Sequence, residues 1–331
     1  NRGIHFRGLD VVVKSREGPQ NTVLDCEMAD RGFYLDQAET RAARIEGITI
    51  LRGYATSGFG GSGGAILCGL SDVSIVDCRF LECRAASDGG ALALFVFSGI
   101  VEDCVISGCT AGWGGGISFW FGEAEIKDCV ITGNKAAYYA GGVCFGGQGG
   151  NRLSGCTVAA NSCDNFGGGI YAANPLLLER CIVWDNCAVS YGPEILCGEA
   201  DIRCSDIDTT GVFGVGVSYD ENCVFTDPLF CSPTSCELTI NGDWSLGANS
   251  SCLPEHSPCG QLIGAVGLGC GGSDPSGACC LPDGSCQVLQ ESDCESEHGS
   301  YMGDGTACEP NPCQPVPVEV TTWGRVKTRF R

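Results

Sequence analysis

Positive charge is scarce in this chain. Nineteen Lys plus Arg stand against 40 Asp plus Glu in 331 residues, a net charge of -21. A nucleic-acid binder needs a basic footprint to displace counterions, so that class is excluded. Long apolar runs are missing as well. The best, Ala91 to Phe97, has seven residues, well short of the ~20 that a membrane-spanning helix requires. No C-x2-C spacing occurs, which removes the close knuckles of structural zinc sites. No Gly-rich loop has the form of a nucleotide-binding P-loop. Charged residues make up only 18% and hydrophobic ones 44%, too apolar a balance for a disordered chain. Neither a metal nor a cofactor is expected.

Cysteine, by contrast, is abundant, with 26 copies. An oxidising space turns such a set into cross-links, so the expected location is extracellular or on the cell surface. No signal peptide is visible, and Asn1 is expected to be a processed or trimmed start. Twenty cysteines precede Gly271 and six follow it. Both counts are even, which predicts mostly paired thiols in separate frameworks. Cys83, Cys109, Cys252 and Cys259 are expected among the paired ones, with connectivity open.

Glycine, at 51 copies, marks a repeat. Gly63-Gly64-Ala65-Ile66, Gly89-Gly90-Ala91-Leu92, Gly115-Gly116-Ile117, Gly141-Gly142-Val143 and Gly168-Gly169-Ile170 recur about every 26 residues. A second anchor keeps phase with them: Cys78 to Cys83, Cys104 to Cys109, Cys129 to Asn134, Cys156 to Asn161 and Cys181 to Asn186. Each unit holds short β-branched runs broken by turn residues and no helix-length amphipathic stretch. Such a unit cannot bury its own apolar face and must stack on copies of itself. One coil of a right-handed parallel β-helix fits, with a leucine-rich repeat as runner-up. The expected fold is all-β, a solenoid with a small disulfide-rich C-terminal module. Ala65, Ala91, Ile117, Val143 and Ile170 are expected inward, followed by Leu67, Ala93 and Phe119. Ile66, Leu92, Ser118 and Cys144, then Cys68, Leu94 and Trp120, are expected outward. Asn134, Asn161 and Asn186 suit a ladder of amides at a turn. Cys78, Cys104, Cys129, Cys156 and Cys181 would stack ~4.8 Å apart, wide of the ~3.8 Å Cβ spacing of a disulfide. Some of these can stay as buried thiols.

The GGA(I/L) and F-x-x-N patterns resemble the β-helix repeats of bacterial polymorphic outer-membrane proteins and related secreted β-helices. The matching residues are Gly63 to Ile66, Gly89 to Leu92, Ile131 to Asn134 and Val158 to Asn161. Cys83 and Cys109 stand where that pattern has Asn. The resemblance covers roughly residues 1 to 200, implies the fold, and implies a further coil upstream.

The expected divisions are β-helix coils over 1–204, an irregular cap over 205–270, a Cys-rich module over 271–315 and a basic tail over 316–331. Gly271 to Pro275 is a plausible linker. Cys279, Cys280, Cys286, Cys294, Cys308 and Cys313 fall in a stretch with few core hydrophobes, which therefore needs staples. Arg325, Lys327, Arg329 and Arg331 could dock on the acidic body of another copy, or form a sorting tail resembling those of secreted bacterial proteins.

A pectin-hydrolase-like site needs clustered Asp with Gly-His-Gly, and His5, His256 and His298 all lack that context. The nearest acidic group is Asp201, Asp206 and Asp208. Asp77, Asp103 and Asp128 repeat with the fold and read as turn residues. The expected role is a non-catalytic structural or adhesive protein that binds copies of itself or surface material and can assemble into a fibre. Leu92, Leu94 and Trp120 form the expected assembly face. The alternative is a polysaccharide lyase or hydrolase, or a carbohydrate-binding module, with Trp113, Trp120, Tyr138 and Tyr139 as a sugar-stacking platform.

Overall fold

The computed structural model describes residues 2–56, 61–123, 125–270, 276–304, 306, 308 and 313. They divide into two compact units, Asn1–Cys270 and Gly271–Arg331. In the first unit a full repeat lays short strands on four faces. One coil comprises Ile66–Gly69, Ser74–Val76, Arg79–Leu81 and Arg84–Ala85. Each strand pairs in parallel with its counterparts in neighbouring coils. The result is four parallel sheets of nine, nine, eight and six strands, numbered first to fourth in chain order. Stacking continues past the expected boundary at 204. Asp206–Ile207, Val212–Phe213 and Gly216–Tyr219 extend the third, first and second sheets.

The corners explain the repeat's composition. Between the second and third sheets a single left-handed residue turns the chain, with φ 49° at Asp77, 53° at Asp103 and 49° at Asp128. Asp tolerates that region better than most side chains, so this acidic row belongs to corner geometry. The glycine triplet turns the chain into the first sheet, and coils approach closely there. A Cβ on Gly90 would lie 2.0 Å from the Gly115 carbonyl oxygen, leaving room only for glycine.

The register of the first sheet differs from expectation by one residue in the early coils. Ile66, Leu92, Ile117, Val143, Ile170 and Ile195 align, while Ala65 and Ala91 sit level with Gly116. A one-residue slip exchanges the two faces of a strand. Leu92 and Leu94 are therefore fully buried core residues and cannot form an assembly surface. Cys68, Leu94, Phe119 and Phe145 share their inward row, whereas Leu67, Ala93, Ser118 and Cys144 face outward. One continuous core fills the coils, with Phe80, Ile106, Ile131 and Val158 supplied by the third sheet. Each such side chain contributes ~1.5–3 kcal/mol on burial.

Thiols line this interior. Fourteen of the cysteines are free, and all but half-buried Cys223 are buried. The expectation of mostly paired cysteines is thus corrected. Sγ of Cys104 and Cys129 each lies 3.1 Å from a carbonyl oxygen two residues back. Cys83 and Cys109 are thiols as well, not disulfides, because they occupy the inward slots that Asn134, Asn161 and Asn186 fill in later coils. The Asn134 amide donates to Asn161 Oδ1 at 2.9 Å, and the Asn161 amide to Asn186 Oδ1 at 3.0 Å.

The segment expected to cap the helix end runs back along its side. Phe230–Ser232, Asp243–Gly247 and Leu268–Cys270 form a three-stranded sheet closed by Cys231–Cys270. Trp244 packs with Val130, Ala159 and Ala160 on the outer face of the third sheet. Ser107 Oγ donates to the Thr239 carbonyl at 2.9 Å, and Ala265 N to Thr157 Oγ1 at 3.0 Å. Cys187–Cys236 and Cys204–Cys259 fasten this strap to the coils. Cys252 remains free beneath it, because its sulfur meets the Asp206 carboxylate at 3.1 Å while Cys259 is bonded to Cys204.

In the second unit, strands Ser276–Cys280, Cys286–Gln290 and Ser300–Asp304 form an antiparallel sheet beside the helix Glu291–Ser296. Disulfides join Cys279 to Cys294, Cys280 to Cys313 and Cys286 to Cys308. The linker at 271–275 and the tail with Arg325, Lys327, Arg329 and Arg331 lie outside the described residues.

Candidate binding groove

The residue just before each triplet makes a ladder of its own. Asp88, Trp113, Tyr139, Phe166 and Tyr191 pair in register, one per coil. Beside it runs the outward row of the first sheet: Leu67, Ala93, Ser118, Cys144, Tyr171, Leu196 and Phe213. This row is small from Ala93 to Cys144 and large from Tyr171 onward. Two bulky rows then stand side by side, and a groove of about 360 Å³ opens between them. Tyr139, Phe166, Tyr171, Leu196, Tyr191 and Phe213 line it.

The rings pack along the axis. Centroids lie 4.5 Å apart for Trp113 and Tyr139, 5.4 Å for Tyr139 and Phe166, 6.1 Å for Phe166 and Tyr191, and 5.3 Å for Tyr191 and Phe213. Phe166 and Tyr191 are within 7° of parallel. Parallel rings at that separation are offset, which leaves part of each face uncovered. Tyr191 and Phe213 are 57% and 56% exposed, so the apolar wall reaches solvent at this end. Burial raises the Tyr171 hydroxyl above its ordinary pKa, keeping it a neutral donor.

Of the four residues in the expected sugar platform, Trp113 and Tyr139 belong to the ladder. Trp120 is half-buried, with Nε1 donating to Asp88 Oδ1 at 3.1 Å and its ring against Gly146. It is a wedge held at the start of the ladder. Tyr138 is exposed and does not line the groove. Phe166, Tyr171, Tyr191 and Phe213 are additional. The first and third carry a readable signal, an aromatic directly before Gly-Gly-Gly or Gly-Pro-Glu.

The carboxylates do not converge on a reaction centre. Asp201 pairs with Arg203 at the surface. Asp208 caps a short 3-10 turn by accepting from Thr210 N. Asp206 is buried under the strap, and that burial pushes its carboxyl up to about 6. Glu194 ends the amide ladder by accepting from Asn186 N at 2.9 Å and Asn186 Nδ2 at 2.6 Å. Burial raises it to about 8, against the lowering effect of those two hydrogen bonds. Among the described residues no group of three or more His, Cys, Asp or Glu is placed to hold a metal ion. No described helix is long and apolar enough to cross a membrane.

Residues 3–158 match the family model described as right handed beta helix region. No curated protein and no solved structure matches the chain. With the parallel coils, this match identifies the fold as a right-handed β-helix repeat.

Proposed function

We propose that the protein is an extracellular, non-catalytic β-helix that adheres to matrix or cell-surface polymer through its aromatic groove. The observation that carries this reading is the double row of large side chains from Tyr139 to Phe213, exposed at its far end although Leu67, Ala93, Ser118 and Cys144 of the same outward row are buried. Water disfavours such a surface, and a patch of this kind marks an interaction site. The six disulfides are compatible with an oxidising, extracellular setting. The fibre alternative loses Leu92 and Leu94, which lie in the core.

The test is retention of the purified full chain on insoluble matrix polymers: cellulose, chitin, peptidoglycan and collagen. Wild type should sediment with at least one of them. The pair Tyr191→Ala and Phe213→Ala should abolish retention while leaving thermal unfolding unchanged, since both side chains are mostly exposed. Retention that survives the double substitution would remove the groove from adhesion.

A further inference from the structure

We infer that the groove takes a neutral, extended polysaccharide lying parallel to the solenoid axis, gripped over several successive sugar units. This inference rests on the adhesive reading above and names the class of polymer.

The axial direction follows from the ladder. Rings recur once per coil along Tyr139, Phe166, Tyr191 and on to Phe213, separated by 5.3–6.1 Å. A ligand that uses all of them must itself repeat along the same line. A compact molecule would touch one or two rings and leave the rest wet.

The chemistry of the lining narrows the class. None of the ten residues that line the groove is charged. Its polar side-chain groups are the phenolic hydroxyls of Tyr139, Tyr171 and Tyr191 and the Cys197 thiol. Rings with hydroxyl tips suit a ligand with apolar C–H faces and a rim of hydroxyls, which is the character of a pyranose chain. A polyanionic glycan would meet a chain of net charge -21, so uronate polymers are disfavoured. A peptide adding as a strand is excluded by topology. Ile170–Ala172 already pairs with Val143–Phe145 on one side and Ile195–Cys197 on the other, so the groove floor offers no free strand edge.

Length dependence separates this inference from the reading beneath it. Calorimetric titration of the full chain would use β-linked glucose, xylose and mannose oligomers from disaccharide to hexasaccharide, with polygalacturonate as the charged comparison. In at least one neutral series affinity should rise about tenfold or more from two units to four and then level off, because each added sugar reaches another of the four rings. Phe213→Ala should flatten that rise. Equal affinity for short and long oligomers, or tighter binding of polygalacturonate, would overturn the inference and leave groove-based adhesion standing. No binding in any neutral series, with groove-dependent retention on a matrix polymer intact, would overturn it too. Loss of the groove's role in retention would remove both.

Discussion

Cysteine is used in two opposite ways along this chain. Every disulfide involves Cys187 or a later residue, whereas the coils before it hold eleven of the fourteen free thiols. Stacked coils generate their own core, and there a cysteine serves as a small apolar side chain that fits a corner. The strap and the C-terminal module have little core of their own, and there cysteine supplies cross-links. Stability in the first region is cumulative and repetitive. In the second it depends on a few covalent bonds.

Reduction should break this contrast most visibly. Removing a native disulfide from a small domain costs roughly 2–5 kcal/mol, and the module would lose three. Mild reductant should unfold residues 276–313 and loosen the strap while the coils persist. Hydrogen exchange should report loss of protection over Ser276–Cys280 and retention over Ile117–Phe119. Thiol titration of the denatured, unreduced chain should find 14 reactive groups of 26. A count near zero would mean that the coil cysteines are cross-linked after all.

Within the coils, substitution sharpens the comparison. Phe119 is fully buried against Phe145, with ring centroids 5.9 Å apart. Phe119→Ala should destabilise by about 3–5 kcal/mol in denaturant unfolding. Cys129→Ala should cost only about 1 kcal/mol, as expected for a small buried group and no cross-link. A much larger loss at Cys129 would show a structural role beyond packing.

A pH dependence is expected at Glu194, where burial raises the carboxyl against the lowering effect of Asn186. Its folded pKa of about 8 lies above its ordinary value of 4.5, so the folded state holds the proton more tightly than the unfolded one. Its contribution to stability is fully present below 4.5 and falls away as pH rises through about 8. Asp206, raised to about 6 from 3.8, acts in the same direction at lower pH. Glu194→Gln should flatten the upper part of the stability profile. A profile that rises over this window would contradict the assigned ladder end.

Much of the fold was legible because two anchors, the glycine triplet and the Cys/Asn slot, repeat in phase. The error of register has a definite cause. Gly114-Gly115-Gly116 offers two ways to align a glycine pair with Gly89-Gly90, and only the contact at Gly90 distinguishes them. Choosing the wrong one turned Leu92 and Leu94 outward. Half of the groove could have been read from the aromatic before each triplet. The other half, Tyr171, Leu196 and Phe213, needs the outward row carried on into coils beyond the last Gly-Gly pair, where Leu196 and Phe213 have no such anchor. The strap was not legible. It has no period, and its contacts join residues as distant as Ser107 and Thr239, separated by 132 positions.

The inward thiol row has a consequence for how the chain is made. Cys78, Cys104, Cys129, Cys156 and Cys181 are chemically alike and evenly stacked, so each inner member has two equivalent neighbours and no assigned partner. Five is also an odd number, and any pairing within the row strands one sulfur. No oxidation pattern of that row is therefore unique, and order comes only from keeping oxidant out. Each coil that docks on the one before it shields its own sulfur from solvent. Synthesis from the amino terminus presents the coils in that sequence, ahead of the late cysteines that must oxidise. The stacked solenoid thus keeps the early sulfurs buried and apart from the late ones that are cross-linked.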